Sequence, residues 1–198
     1  MTDTNFVQPS PEDPRVGFAQ VTSMVSSLVQ ATEAAQLDGD TPCDEFCVRD
    51  LLDHLNLVMA RVATIGEGGN WADITPDAVA QSDGHHATFQ QGAHDIMNAW
   101  ADSSKLGNSF QVPWGESPGA PALMMYTAEL ATHGWDLAQA TGQSMEIPDA
   151  ALGGALQAAK MVPAEGRSEM PMFGNVVDPG ENASAMHQIA GWFGRQVV

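Results

Sequence analysis

Glu129, His133 and Asp136 lie in the run AELATHGWDLAQATGQ, residues 128–143, which is otherwise apolar and helix-like. At about 100° per residue, His133 falls roughly 40° from Glu129, and Asp136 roughly 20° to the other side. Tyr126, Leu130 and Leu137 share the sector of the Glu–His pair. The pair is therefore expected to face a bundle interior, with Asp136 at its margin. An inward carboxylate needs a partner, because burying it unpaired is costly. No Lys or Arg lies on this helix, but His54 falls among Leu51, Leu55 and Val58 on the apolar face of another. One His from one helix with Glu-x-x-x-His from a second makes a three-ligand set that suits a divalent metal. Such a set leaves a coordination position open, as reactive sites do. The same residues also suit a hydrogen-bonded core cluster without an ion. Spacing does not choose between them, because nothing in it shows that the two helices meet.

The elements that must position these residues are helical. Asp13 is placed to cap a first helix, with Pro14 at its first position and Val16, Val21, Val25, Leu28 and Val29 as its stripe. A second covers VRDLLDHLNLVMARVATIG, with Val48, Leu51, Leu55, Val58 and Val62 recurring at helical spacing. A third, from the HHATFQQ stretch, puts Phe89, Ala93, Ile96 and Trp100 on one face. The fourth runs from Ala122 to Thr141 and stops at Gly142. Weaker helices follow in PDAALGGALQAAKM and NASAMHQIAGWFGR, and short extended pieces are expected at most near FQVPW and FGNVV. This pattern predicts an all-α bundle, residues 13–198 as one domain behind a loose tail over residues 1–12.

Seven basic against 25 acidic residues give a net charge of −18. Such a chain is expected to repel nucleic acid and anionic membranes, both of which select clustered cations. No apolar run is long enough to span a bilayer and no secretory leader opens the chain, so a cytoplasmic location is expected. Cys43 and Cys47 are too few for a disulfide framework and lack a second Cys/His pair at zinc-finger spacing, so free thiols are expected. His85, His86 and His94 read as solvated or core-satisfied, with His86 the next candidate for a ligand. Most of the 11 Met residues read as adaptable core filling.

TPCDEFCVRDLLDHL followed by AELATHGWDLAQATGQ resembles the DinB-like, mycothiol-dependent maleylpyruvate isomerase N-terminal family. Within it the chain looks closest to an uncharacterised actinobacterial branch of metal-binding proteins, whose C-terminal signature MFGNVVDPGENASAMHQIAGWFGRQVV resembles. The resemblance covers nearly the whole chain after the tail. It implies a DinB-like four-helix bundle, here with additional short C-terminal helices, that carries a divalent metal, usually zinc or nickel. Carried over by motif, the ligands fall on His54, Glu129 and His133. Where related sequences have Trp-Thr before the second helix, this chain has Phe46-Cys47, and Cys is a weaker N-cap than Thr. The characterised isomerase also has a second domain that contributes to its active site. Nothing of comparable size is present here, so isomerase activity is not carried over.

The expected function is therefore a divalent-metal protein, zinc first with nickel or iron as alternatives, that activates mycothiol or a similar thiol for transfer or isomerisation. Its small-molecule partners would be that thiol and an electrophile, with Asp136 positioned behind the ligands. A non-catalytic metal-containing binding protein and a metal-dependent hydrolase are the alternatives, and a homodimer is left open.

Overall fold

The computed structural model describes residues 12–79, 84–170 and 173–197. Helix α1 spans Pro14–Ala31, with the Asp13 side chain accepting from the Arg15 amide at its N-terminus. Phe18, Val21, Thr22, Val25, Leu28 and Val29 form its buried face. Val16, expected on that stripe, is only partly buried, and Phe18 takes the core position. Apart from Glu12, the expected N-terminal tail lies outside the described residues.

Helix α2, Val48–Gly66, starts at Cys47 despite the weak cap. The Cys47 amide donates to Asp50 Oδ2 at 3.2 Å and its thiol to the same oxygen at 3.0 Å, so Asp50 closes the helix start as the N3 member of a capping box. The helix start is also tethered from outside, by amides of Val48 and Arg49 donating to the carbonyls of Gly39 and Leu37. Helix α3, His85–Ala99, buries Phe89 and Ile96 and ends at a buried Trp100, whose indole donates to Val62 O at 3.0 Å.

A hairpin follows, β1 Ser109–Val112 antiparallel to β2 Gly115–Pro118, with Val112 opposite Gly115. The expected extended piece at FQVPW is thus one arm of a hairpin turning at Pro113–Trp114. Near FGNVV no strand forms among the described residues.

Helix α4, Gly119–Thr141, begins three residues before the expected Ala122. It ends at Gly142, whose φ of 69° is the left-handed conformation a terminating glycine takes readily. Gly134 lets α1 approach: a Cβ there would lie 2.7 Å from Val25 Cγ2. The α4 start lies beside the α2 end, since a Cβ on Gly119 would come 2.9 Å from the Trp100 ring that bonds Val62. The later half of α4 meets the α2 start, with the His54 and His133 ring centroids 4.7 Å apart. The two helices are therefore antiparallel. Helix α5 (Asp149–Ala159) packs on α1 and α4, α6 (Ala185–Trp192) packs on α4 and α5, and together they extend the core to Phe193.

The chain is mostly helical, as the periodicity predicts, and no described helix is long and apolar enough to cross a membrane. The methionines depart from expectation. Met59 and Met186 are core residues, but Met97 and Met161 are among the most exposed apolar side chains.

Candidate metal centre

Crossing antiparallel, α2 and α4 bring their polar residues to one point. His54 Nε2 lies 3.0 Å from Glu129 Oε1, and His133 Nε2 lies 3.6 Å from the same oxygen. One donor atom from each of the three residues lies within 4.8 Å of the others. Donors sharing one tetrahedral zinc at ~2.1 Å stand about 3.4 Å apart, a value the two observed spacings bracket. Two imidazoles and a carboxylate are also the donor types such an ion takes. The residue types and their spacing fit a divalent metal.

The far side of His133 is fixed by charge. Its Nδ1 lies 3.1 Å from Asp136 Oδ2 and donates to that carboxylate, which leaves Nε2 as the nitrogen that faces Glu129 and that would ligate an ion. Asp136 is completely buried, well inside the margin where its helical angle put it. It tolerates that position because Arg195 donates to it twice, Nε to Oδ1 at 3.0 Å and Nη2 to Oδ2 at 2.7 Å.

Burial works against the Asp136 charge, yet the bonds from His133 and Arg195 outweigh it and keep the carboxyl below its ordinary value. Glu129 behaves alike: burial raises its pKa, but His133 and His54 hold it well below the carboxylate range. His133 is pulled down by burial and lifted by Asp136 and Glu129, ending at about 9 without an ion. These directions describe one proton-coupled cluster in which Glu129 and Asp136 are held ionised by the His and Arg groups around them.

Phe46 walls the site, its ring 4.9 Å from that of His54 and edge-on to His133 at 5.9 Å. The loop bearing it is pinned by Thr41, whose hydroxyl donates to Phe46 O at 2.7 Å. Exposure grades across the site, from 10% for the His133 side chain to 22% for His54 and 36% for Glu129. The open side is therefore the Glu129 side.

Cys43 converges from behind. Its thiol, one His133 nitrogen and one Asp136 oxygen also lie within 4.8 Å of one another, all buried. This second set is the poorer cation site. Asp136 is already held by the Arg195 guanidinium, which repels a further cation, and burial raises the Cys43 pKa and favours the neutral thiol. Both cysteines are free.

The other histidines are engaged elsewhere. His86 Nε2 lies 3.3 Å from Ser26 Oγ on α1, so the residue held as the next ligand candidate is absent from the cluster. His85 meets Asp53 at 2.9 Å, and His94 meets Asn98 at 3.0 Å. Sequence reasoning missed Arg195, Phe46 and Cys43 as parts of this centre. Arg195 left one signal: a carboxylate on an apolar helix needs a cation, and only seven basic residues are present to supply it. Phe46 and Cys43 left none, because a loop carries no periodicity.

The family described as Mycothiol maleylpyruvate isomerase N-terminal domain matches residues 18–138, which include all three donors. Uncharacterized protein MT0763 and Uncharacterized protein Rv0738, from two strains of Mycobacterium tuberculosis, are each 29% identical over 186 residues. Those matches span 93% of this chain and 99% of each relative. The crystal structure of the mycothiol-dependent maleylpyruvate isomerase superposes with a TM-score of 0.54 at 15% identity, covering 80% of this chain and 70% of that one. A single-site mutant of the same enzyme gives 0.55. At that identity the likeness speaks for the fold.

Proposed function

Because the chain belongs to the mycothiol maleylpyruvate isomerase N-terminal domain family, we propose that it is a divalent-metal protein using a low-molecular-weight thiol, of the mycothiol type, in transfer to or isomerisation of a small electrophile. The observation that best supports this is the meeting of His54 Nε2 and His133 Nε2 on Glu129 Oε1, with His133 Nδ1 committed to Asp136. A divalent ion bound there supplies a position at which a thiol loses its proton near neutral pH. Zinc suits this donor set, and nickel and iron accept it as well.

The chain's own residues have separable tasks. His54, Glu129 and His133 are the ligands. Asp136 keeps the His133 proton on Nδ1 and the lone pair on Nε2. Arg195 holds the Asp136 carboxylate ionised and in place. Phe46 excludes water from the His54–His133 side, which leaves the Glu129 side for an incoming thiol.

Metal analysis of protein expressed without added metal tests the first half. Titrating the loaded protein with thiols and a model aryl halide tests the second. A rate that requires both the metal and the thiol is expected. Metal-dependent hydrolysis of an ester without thiol would point to a hydrolase instead, and neither rate would leave a non-catalytic metal-containing binding protein.

A further inference from the structure

The facing lines of α2 and α4 repeat. His54 and Arg61 are seven residues apart on α2, and Tyr126 and His133 seven apart on α4. Seven residues are nearly two helical turns, so each pair shares a face. Since the helices are antiparallel and His54 faces His133, Arg61 and Tyr126 come to the same level, ~10 Å along the groove from the metal site. Glu129 lies between the two levels, one turn from Tyr126.

Two observations at that level have no structural explanation. The Tyr126 side chain is buried, and its hydroxyl has no hydrogen-bond partner. Buried hydroxyls are normally satisfied, and one that is not costs about 1–3 kcal/mol. Arg61 has no carboxylate partner among the described residues, although acidic residues outnumber basic ones 25 to 7. Its Nε donates to Ile74 O at 3.1 Å and its guanidinium packs over Trp71 at 5.2 Å, which aims a cation without neutralising it. Arg61 and Glu129 both lie close enough to influence Tyr126. Burial first and the Glu129 charge second raise its pKa, and Arg61 opposes them. Trp114, half exposed on the hairpin turn, packs on the Tyr126 ring at 5.2 Å.

We propose that Arg61 and the Tyr126 hydroxyl form a subsite for a carboxylate of the substrate, placing the electrophile's reactive end at the metal centre. A guanidinium with a neutral O–H donor is the pairing that recognises a carboxylate rather than a neutral group. The substrate class is then a small electrophile with a carboxylate at the end remote from the reacting carbon. Since the hydroxyl is covered, the carboxylate reaches it as Trp114 swings aside, so binding should change tryptophan emission.

The proposal rests on the metal reading above, and the test separates the two. Adipate and its diamide, titrated calorimetrically and by fluorescence into zinc-loaded and zinc-free protein, would be compared for wild type, Arg61→Met and Tyr126→Phe. Wild type should bind adipate in the millimolar range. Arg61→Met should weaken binding about tenfold or more, and Tyr126→Phe several-fold, with zinc content unchanged. If Arg61→Met fails to fold by circular dichroism, Tyr126→Phe, which removes one oxygen from a site that gains nothing from it in the free protein, decides alone. Adipate binding that depends on Arg61 in protein unable to hold zinc would sink the metal reading and keep the subsite. Zinc held with adipate unbound, adipate bound as tightly by both variants as by wild type, or the diamide bound as tightly as adipate, would overturn the subsite.

Discussion

Replacing Arg195 with Met isolates what keeps a carboxylate in the middle of this core. Asp136 has no exposed surface, and Arg195 meets both its oxygens, at 3.0 and 2.7 Å. Removing one partner of a buried ion pair costs about 3–5 kcal/mol, mostly the cost of the charge left behind. His133 Nδ1 remains at 3.1 Å and still donates to the carboxylate, so the lower end applies, about 3 kcal/mol. For a chain of this length that is a midpoint lowered by roughly 6–12 °C.

The pH dependence carries a sign. In wild type the Asp136 pKa is depressed by folding, so its contribution is present above the unfolded value of about 3.9 and is lost as pH falls through the folded one. In Arg195→Met, burial is less opposed and the folded pKa rises, so protonation relieves the variant. The gap between the two proteins should narrow from pH 7 toward pH 4. Urea unfolding in chelator, followed by circular dichroism, measures it. Asp136→Asn with Arg195→Met should lose less than the two single losses added, with a coupling of at least about 1.5 kcal/mol. A gap under roughly 0.5 kcal/mol at pH 7, or losses that simply add, would refute the reasoning.

Replacing His54, Glu129 or His133 with Ala should each abolish most metal binding, and a second replacement should add little, because ligands of one ion act together. Chelator should lower the thermal midpoint of the parent and hardly affect these variants, with His94→Ala, away from the cluster, behaving as the parent. Full occupancy in His54→Ala would remove it from the ligand set. In metal-free protein the folded His133 pKa of about 9 lies above the unfolded value of ~6.5, so its contribution is complete below that value and fades as pH rises through 9. Metal-loaded protein should instead gain stability with rising pH over the acid range, since the ion requires His133 without its Nε2 proton. Urea midpoints at pH 6 and 9, with and without zinc, check this.

Helical periodicity alone located α2 at Val48–Gly66 and put His54, Glu129 and His133 on inward faces, because a 3.6-residue repeat written in Leu and Val is a local property of the chain. Asp13 before Pro14 and Gly142 after Thr141 were legible for the same reason, since caps act within one turn. The meeting of α2 with α4 was not local. It depends on their antiparallel crossing, with Trp100 seated on Val62 and Gly119 at one end and the two histidine rings at the other. Tertiary structure alone chose Arg195, 59 residues away, as the Asp136 partner, and carried Asp136 from the margin into full burial. It also gave His86 to Ser26, though His86 sits beside an apolar face as plausible as that of His54. A periodic pattern states which side of a helix avoids water, but a polar group inside is satisfied by whichever partner the packing brings within about 3 Å, and that distance is written in no single segment.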